Sequence, residues 1–140
     1  MQVKNMMQKE LITLPISATI KEAARKMKEN NVGSILIVEE DMKLSGIVTD
    51  RDIAMAVAVE NKNPDEVCAY DFMTTDPVTI RTDDDINTAL KAMSFANVRR
   101  LPVCENGKLT GMLSSADIAI EIKHEFDNFI DLEKAFAKTH

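Results

Sequence analysis

Two short stretches of this chain carry the residue types that hold a small hydroxylated anion. Gly46-Ile47-Val48-Thr49-Asp50-Arg51-Asp52-Ile53 reads glycine, two apolar residues, a hydroxyl, two variable positions, an aspartate and isoleucine. Gly111-Met112-Leu113-Ser114-Ser115-Ala116-Asp117-Ile118 repeats the pattern. In each copy an apolar strand runs into the hydroxyl residue and a helix starts just after it. Such a junction leaves backbone N–H groups free at a positive dipole end, which suits an anion. The hydroxyl and the aspartate three residues on can share hydrogen bonds with a diol, so together they suggest a phosphorylated ribose. The same letters also spell a helix capping box, Thr49-x-x-Asp52 and Ser114-x-x-Asp117, whose side chains satisfy orphan amides and bind nothing else.

The elements that must position these residues also come twice. Leu11-Ile12-Thr13-Leu14 is a short strand stopped by Pro15, and Pro77-Val78-Thr79-Ile80 is its counterpart, with Thr13 recurring as Thr79 at an offset of 66. Ser17 is placed to cap a helix over 19–30, whose Ile20, Ala23, Ala24 and Met27 recur as Ile86, Ala89, Leu90 and Met93 in a helix over 85–96. Ser34–Val38 reads as a central strand, returning through a turn at 39–43 into Leu44–Val48. Asn106-Gly107 is the matching hairpin turn, one residue shorter, so the offset becomes 65 from Gly111 on. A helix over 50–59 ends before Lys62-Asn63-Pro64, and residues 119–138 form a long final helix with an Ile122, Phe126, Phe129, Phe136 stripe. The division is a first repeat over 1–62, a second over 63–122 and a helical extension over 123–140.

One half alone leaves a sheet face uncovered and too little core. The predicted fold is therefore α/β (α+β): two β-α-β-β-α repeats packed sheet to sheet about a pseudo-twofold axis. The two junctions then face a common groove. Capping alone does not require matched hydroxyl, aspartate and strand threonine in both halves, and this favours a ligand.

Bulk properties bound the partners. The chain has 140 residues, 45% hydrophobic and 29% charged, with net charge −6, an ordinary globular composition. That charge argues against a general nucleic-acid footprint and against an anionic membrane surface. Cys68 and Cys104 lie in no C-x-x-C pattern, and with His124 and His140 they show no zinc spacing. No run reaches membrane-spanning length. These features fit a reduced, cytoplasmic protein. Asp83-Asp84-Asp85 reads as a helix start, where acids complement the dipole, and no metal is assigned to it.

With the two G-h-h-[T/S]-x-x-D-I signatures, the Val98-Arg99-Arg100-Leu101-Pro102-Val103 run and Val78-Thr79-Ile80 in place, the chain resembles a tandem pair of cystathionine β-synthase (CBS) domains, a Bateman module, over about residues 3–122. The resemblance implies binding of an adenine nucleotide (AMP, ADP or ATP) or another adenosyl compound between the repeats. It also implies association of modules into a dimer and no catalytic activity. By the same resemblance, Thr49 and Asp52, and Ser114 and Asp117, are ribose contacts. Thr13 and Thr79 line the base pocket, with Ile12, Val32, Val78 and Val98 as apolar walls, and Arg51, Arg99 and Arg100 reach phosphate. Ala116 stands where the first repeat has Arg51, and Gly33-Ser34 where the second has Arg99-Arg100, so the repeats are chemically unequal. The implied role is a ligand-sensing regulatory module, a homodimer acting on an effector protein in trans, with no cofactor beyond the regulatory nucleotide. A purely structural dimerisation protein is the alternative reading.

Overall fold

In a computed structural model, which describes residues 1–139, both halves follow the same order of elements, the second with a single bridge at Ile80 where the first has a strand. The first is β1 (Thr13–Pro15), α1 (Ile20–Asn30), β2 (Ser34–Val38), β3 (Leu44–Thr49) and α2 (Asp50–Ala54), which widens into one looser turn at Met55–Val59. The linker contributes β4 (Thr74–Thr75), and the second half has α3 (Ile86–Ala96), β5 (Arg100–Glu105), β6 (Lys108–Ser114) and α4 (Ser115–Thr139). One sheet runs β1-β2-β3-β4 and the other pairs β5 with β6.

Local chemistry explains the boundaries. Thr19, not Ser17, caps α1: its Oγ1 accepts from Glu22 N at 3.1 Å, while Ser17 lies in the turn that follows Pro15. Asp85 does the same for α3, accepting from Thr88 N at 2.9 Å. Both helices end on an asparagine in the left-handed region, Asn31 and Asn97, a conformation that asparagine tolerates better than most residues. Pro15, expected to stop β1, is its last paired residue; a proline without an N–H is tolerated at the end of an edge strand. Of Pro77–Ile80 only Ile80 pairs, parallel to Val103, in the register by which Leu14 pairs with Ile37. The expected helix at the second junction and the expected final helix over 119–138 are one helix, α4. No breaker interrupts them, whereas Asn61, with φ of 54°, and Pro64 stop the first copy at the same place.

Among the described residues, three apolar clusters hold the molecule. Ala23, Met27, Ile35, Ile37 and Val48 form the first repeat's core, and Ala69 of the linker completes it. Ile80, Ala89, Met93, Leu101, Val103, Leu113 and Ile118 form the second, completed by Val3 and Met6 from the N-terminus. Each repeat's lead-in therefore lies on the other repeat. Residues 2–8 reach the second sheet, where Gln8 pairs with Met112, and Thr74 pairs with Ile47 in the first sheet. Burying a side chain such as fully enclosed Val3 stabilises by about 1.5–3 kcal/mol, so the exchange ties the halves together. Between the sheets, Leu36, Cys104 and Leu109 pack with Val38, Leu44, Ile47 and Met112. Burial there pushes the Cys104 thiol above its usual range. Lys43 pairs across the pseudo-axis with its own equivalent, Lys108.

Candidate ligand-binding groove

The junction side chains are turned first toward the backbone. Thr49 Oγ1 accepts from Asp52 N at 3.2 Å, and Asp52 Oδ2 accepts from Thr49 N at 2.8 Å. Ser114 Oγ accepts from Asp117 N at 3.1 Å, and Asp117 Oδ2 from Ser114 N at 2.9 Å. Both capping boxes are thus formed, and what each leaves for a ligand is the outer carboxylate oxygen and the hydroxyl proton. The two outer oxygens differ. Asp117 Oδ1 accepts from Gln8 Nε2 at 3.1 Å, whereas Asp52 Oδ1 has no hydrogen-bond partner among the described residues.

Strand register gathers the other candidates beside these boxes. Ser34 pairs with Thr49 and Arg100 with Ser114. Asp50 N donates to Gly33 O at 2.9 Å, and Ser115 N to Arg99 O at 2.8 Å. The α1–β2 corner, with Val32, therefore adjoins the first junction, and the α3–β5 corner, with Val98 and Arg99, adjoins the second.

A groove of about 220 Å³ runs between the repeats. It joins Ile12, Val32 and Ser34 of the first repeat to Arg100 and Met112 of the second, with Gln8 and Glu10 of the crossing lead-in alongside. The site is composite: the apolar wall comes from one repeat and the cation from the other. Arg100 is exposed and enters no ion pair among the described residues, so its guanidinium is available to an anion, although the Glu10 carboxylate on the same groove opposes one.

The remaining candidates lie apart from this groove. Thr13 lines an open recess of about 690 Å³ at the β1 edge, beside Glu39, Glu40 and Lys43. Thr79 lines one of about 340 Å³ with Asp76, Arg81 and Asn106. Consecutive strand residues face opposite ways, which separates Thr13 from its neighbour Ile12. Val78 and Val98 are exposed, as are Arg51 and Arg99, and Thr49 and Asp52 stand at the first junction. Sequence reasoning missed Gln8, Glu10 and Met112. The only signal for Gln8 was its equivalence to Thr74 at the repeat offset. Among the described residues no three His, Cys, Asp or Glu side chains converge as a metal site; His140 and the end of the 123–140 extension lie outside them.

Comparison with known proteins bears on both halves. The CBS domain family profile matches residues 3–59 and again 69–124. The uncharacterised protein MK0525 of Methanopyrus kandleri is 40% identical over 111 residues, 79% of this chain but only 57% of that protein. The chain thus spans little more than half of that relative. The uncharacterised protein YlbB of Bacillus subtilis is 36% identical over 121 residues, 85% of this chain and 80% of YlbB. Among solved structures, the domain pair of protein MJ0100 in complex with 5′-methylthioadenosine and S-adenosyl-L-methionine is 31% identical. It superposes with a TM-score of 0.76 over 87% of this chain and 99% of that one.

Proposed function

The chain belongs to the CBS domain family, of which it carries two copies, and on that premise we propose that it is a ligand-sensing regulatory module. It binds an adenosyl compound between the repeats, an adenine nucleotide such as AMP, ADP or ATP in the first instance. It passes the bound state to an effector protein in trans or through a homodimer, and it catalyses no reaction. The observation that carries this reading is the composite groove, in which Ile12 and Val32 of one repeat meet Arg100 of the other. Ser114 and Asp117 take the ribose at that end and Arg100 the phosphate. Thr49 and Asp52, with Val78 and Val98 as walls and Arg51 and Arg99 as cations, serve a second site. Thr13 and Thr79 border the base positions.

Glu10 favours a second ligand class. A carboxylate beside the groove repels phosphate and attracts a sulfonium, and the MJ0100 pair was solved with S-adenosyl-L-methionine. Two unpaired cysteines fit a reducing cytoplasm, and among the described residues no helix is long and apolar enough to cross a membrane.

A thermal-shift and calorimetry panel of AMP, ADP, ATP, S-adenosylmethionine and 5′-methylthioadenosine tests the reading. A ligand at a hundred times its Kd stabilises the folded state by about 2.7 kcal/mol. A hydrogen bond to a charged group contributes about 1.5–3 kcal/mol, so Asp117→Ala weakens its site at least about tenfold. Should none of the five shift the melting temperature at millimolar concentration, the module is a structural dimerisation protein instead.

A further inference from the structure

We propose that Gln8, carried across the molecule by the N-terminal lead-in, is a ribose-reading residue of the composite groove and makes the two junctions unequal. The inference rests on the adenosyl-binding reading above and adds a residue and a selectivity to it.

The position of Gln8 is fixed by its backbone. Gln8 N donates to Met112 O at 2.9 Å, and Met112 N donates to Gln8 O at 3.0 Å. Met112 belongs to the second signature itself, three residues after which stands Ser115 at the start of α4. Gln8 lines the groove, and its side-chain Nε2 donates to Asp117 Oδ1 at 3.1 Å. Asp117 Oδ2 is already committed to the capping box. The one carboxylate oxygen free to meet a ribose is therefore oriented by Gln8.

This arrangement suits a vicinal diol. With Nε2 aimed at the carboxylate, the amide leaves Oε1 as an acceptor close to Asp117 Oδ1, which itself keeps a lone pair. Adjacent acceptors on two residues match adjacent hydroxyl donors on a sugar. A ligand lacking one hydroxyl leaves one acceptor without its donor, and sites built this way discriminate strongly against the deoxy analogue.

The first repeat has no such device. Thr74 occupies the equivalent place, pairing with Ile47 as Gln8 pairs with Met112. Its side chain is two atoms shorter, and among the described residues it makes no hydrogen bond to Asp52. Asp52 must read a ribose alone.

Calorimetry in an Asp52→Ala background, which weakens the first junction, reads the Asp117 site. The probes are AMP against 2′-deoxy-AMP, with 5′-methylthioadenosine against its 2′-deoxy analogue in parallel so that the answer is independent of phosphate. Gln8→Met keeps the length and the backbone pairing and removes both polar atoms. The ribo form is expected to bind at least about tenfold more tightly than the deoxy form with Gln8 present. In Gln8→Met that ratio is expected to fall to about threefold or less. An unchanged ratio in Gln8→Met, with the melting temperature preserved, overturns the assignment of Gln8 alone and leaves adenosyl binding standing. Failure of every ribo probe to bind the unaltered chain overturns both. A merely structural link between Gln8 and Asp117 would alter stability and leave the ribo-to-deoxy ratio untouched.

Discussion

Adding a methyl group at Gly46 is expected to destabilise the first repeat more than the same change at Gly111 destabilises the second. A Cβ at Gly46 would lie 2.5 Å from the Thr74 carbonyl oxygen, 2.6 Å from Met73 Sδ and 3.0 Å from Met73 Cγ. At Gly111 it would meet Met7 Sδ at 2.6 Å, Met7 Cγ at 3.0 Å and the Gln8 carbonyl oxygen at 3.1 Å. In each case the methionine lies over the glycine because the lead-in crosses the strand there. A methionine side chain can swing away, but a paired carbonyl cannot move without breaking its ladder. Overpacking costs about 1–3 kcal/mol. Gly46→Ala therefore belongs near the top of that range, with β4 displaced from β3, and Gly111→Ala near the bottom. Truncating the overlying side chain separates the two parts. In Met73→Ala the added penalty of Gly46→Ala is expected to shrink by less than half, because the Thr74 carbonyl remains. In Met7→Ala that of Gly111→Ala is expected to shrink by more than half, the paired Gln8 carbonyl at 3.1 Å leaving the remainder. Urea unfolding of the singles and doubles gives the coupling energies. Equal penalties at Gly46 and Gly111, or complete rescue of Gly46→Ala by Met73→Ala, would refute the claim that the main chain sets the limit.

Two further outcomes follow from the same geometry. The Thr82 hydroxyl and backbone N–H, with Arg81 nearby, hold the Glu105 carboxyl below its ordinary value of 4.5. A folded value below the unfolded one contributes stability above pH 4.5 that is lost as pH falls through the folded value. Thr82→Val, which keeps only the backbone donor, is expected to narrow the gap in urea midpoint between neutral and acid solution; an unchanged gap would show that Glu105 plays no part in it. The exposed face of α4, with Phe126 and Phe129 60% and 55% accessible, together with Met55 and Val59, is expected to close a homodimer. Light scattering should give twice the 15.6 kDa chain mass and the single-chain mass for Phe129→Glu; a monomer of the unaltered chain at micromolar concentration contradicts this.

The sequence made the duplication legible because its signal is local. Hydroxyl and aspartate three apart, apolar residues at helical spacing and an Asn-Gly turn are each set by neighbours in the chain, and the element order follows from them. The partner of each lead-in was not legible. The offset shows that 2–8 and 68–74 are equivalent, but an equivalence does not say which sheet each joins; that choice is made by Val3 and Ala69 finding the opposite core. Gly46 and Gly111 read as part of a ligand signature for the same reason, since the methionine crossing each is distant in sequence. Thr13 and Thr79 were paired with Ile12 and Val78 by motif, and the pleat sends neighbours to opposite faces. Ser17 and Thr19 are both competent caps by type, and only the turn after Pro15 decides between them. The second junction helix and the final helix run together because no glycine or proline stands between them.

The exchanged lead-ins make the chain's first eight residues answer to the second half of the molecule and the segment around Ala69 to the first. A cut between residues 62 and 63 would not yield two finished pieces, because each fragment would hold the plug that fits the other's core. Mixed in solution, the fragments have reason to find each other and restore the parent arrangement. Lys9 and Glu10, both exposed, form the crossing, and a chain that opens there can offer its plug to a neighbour's second sheet through the same contacts it makes at home. Damage, a tether or a load applied at the N-terminus is thus felt first in the second repeat, while the first repeat, which adjoins it in sequence, is held by Ala69 and Thr74 of the linker.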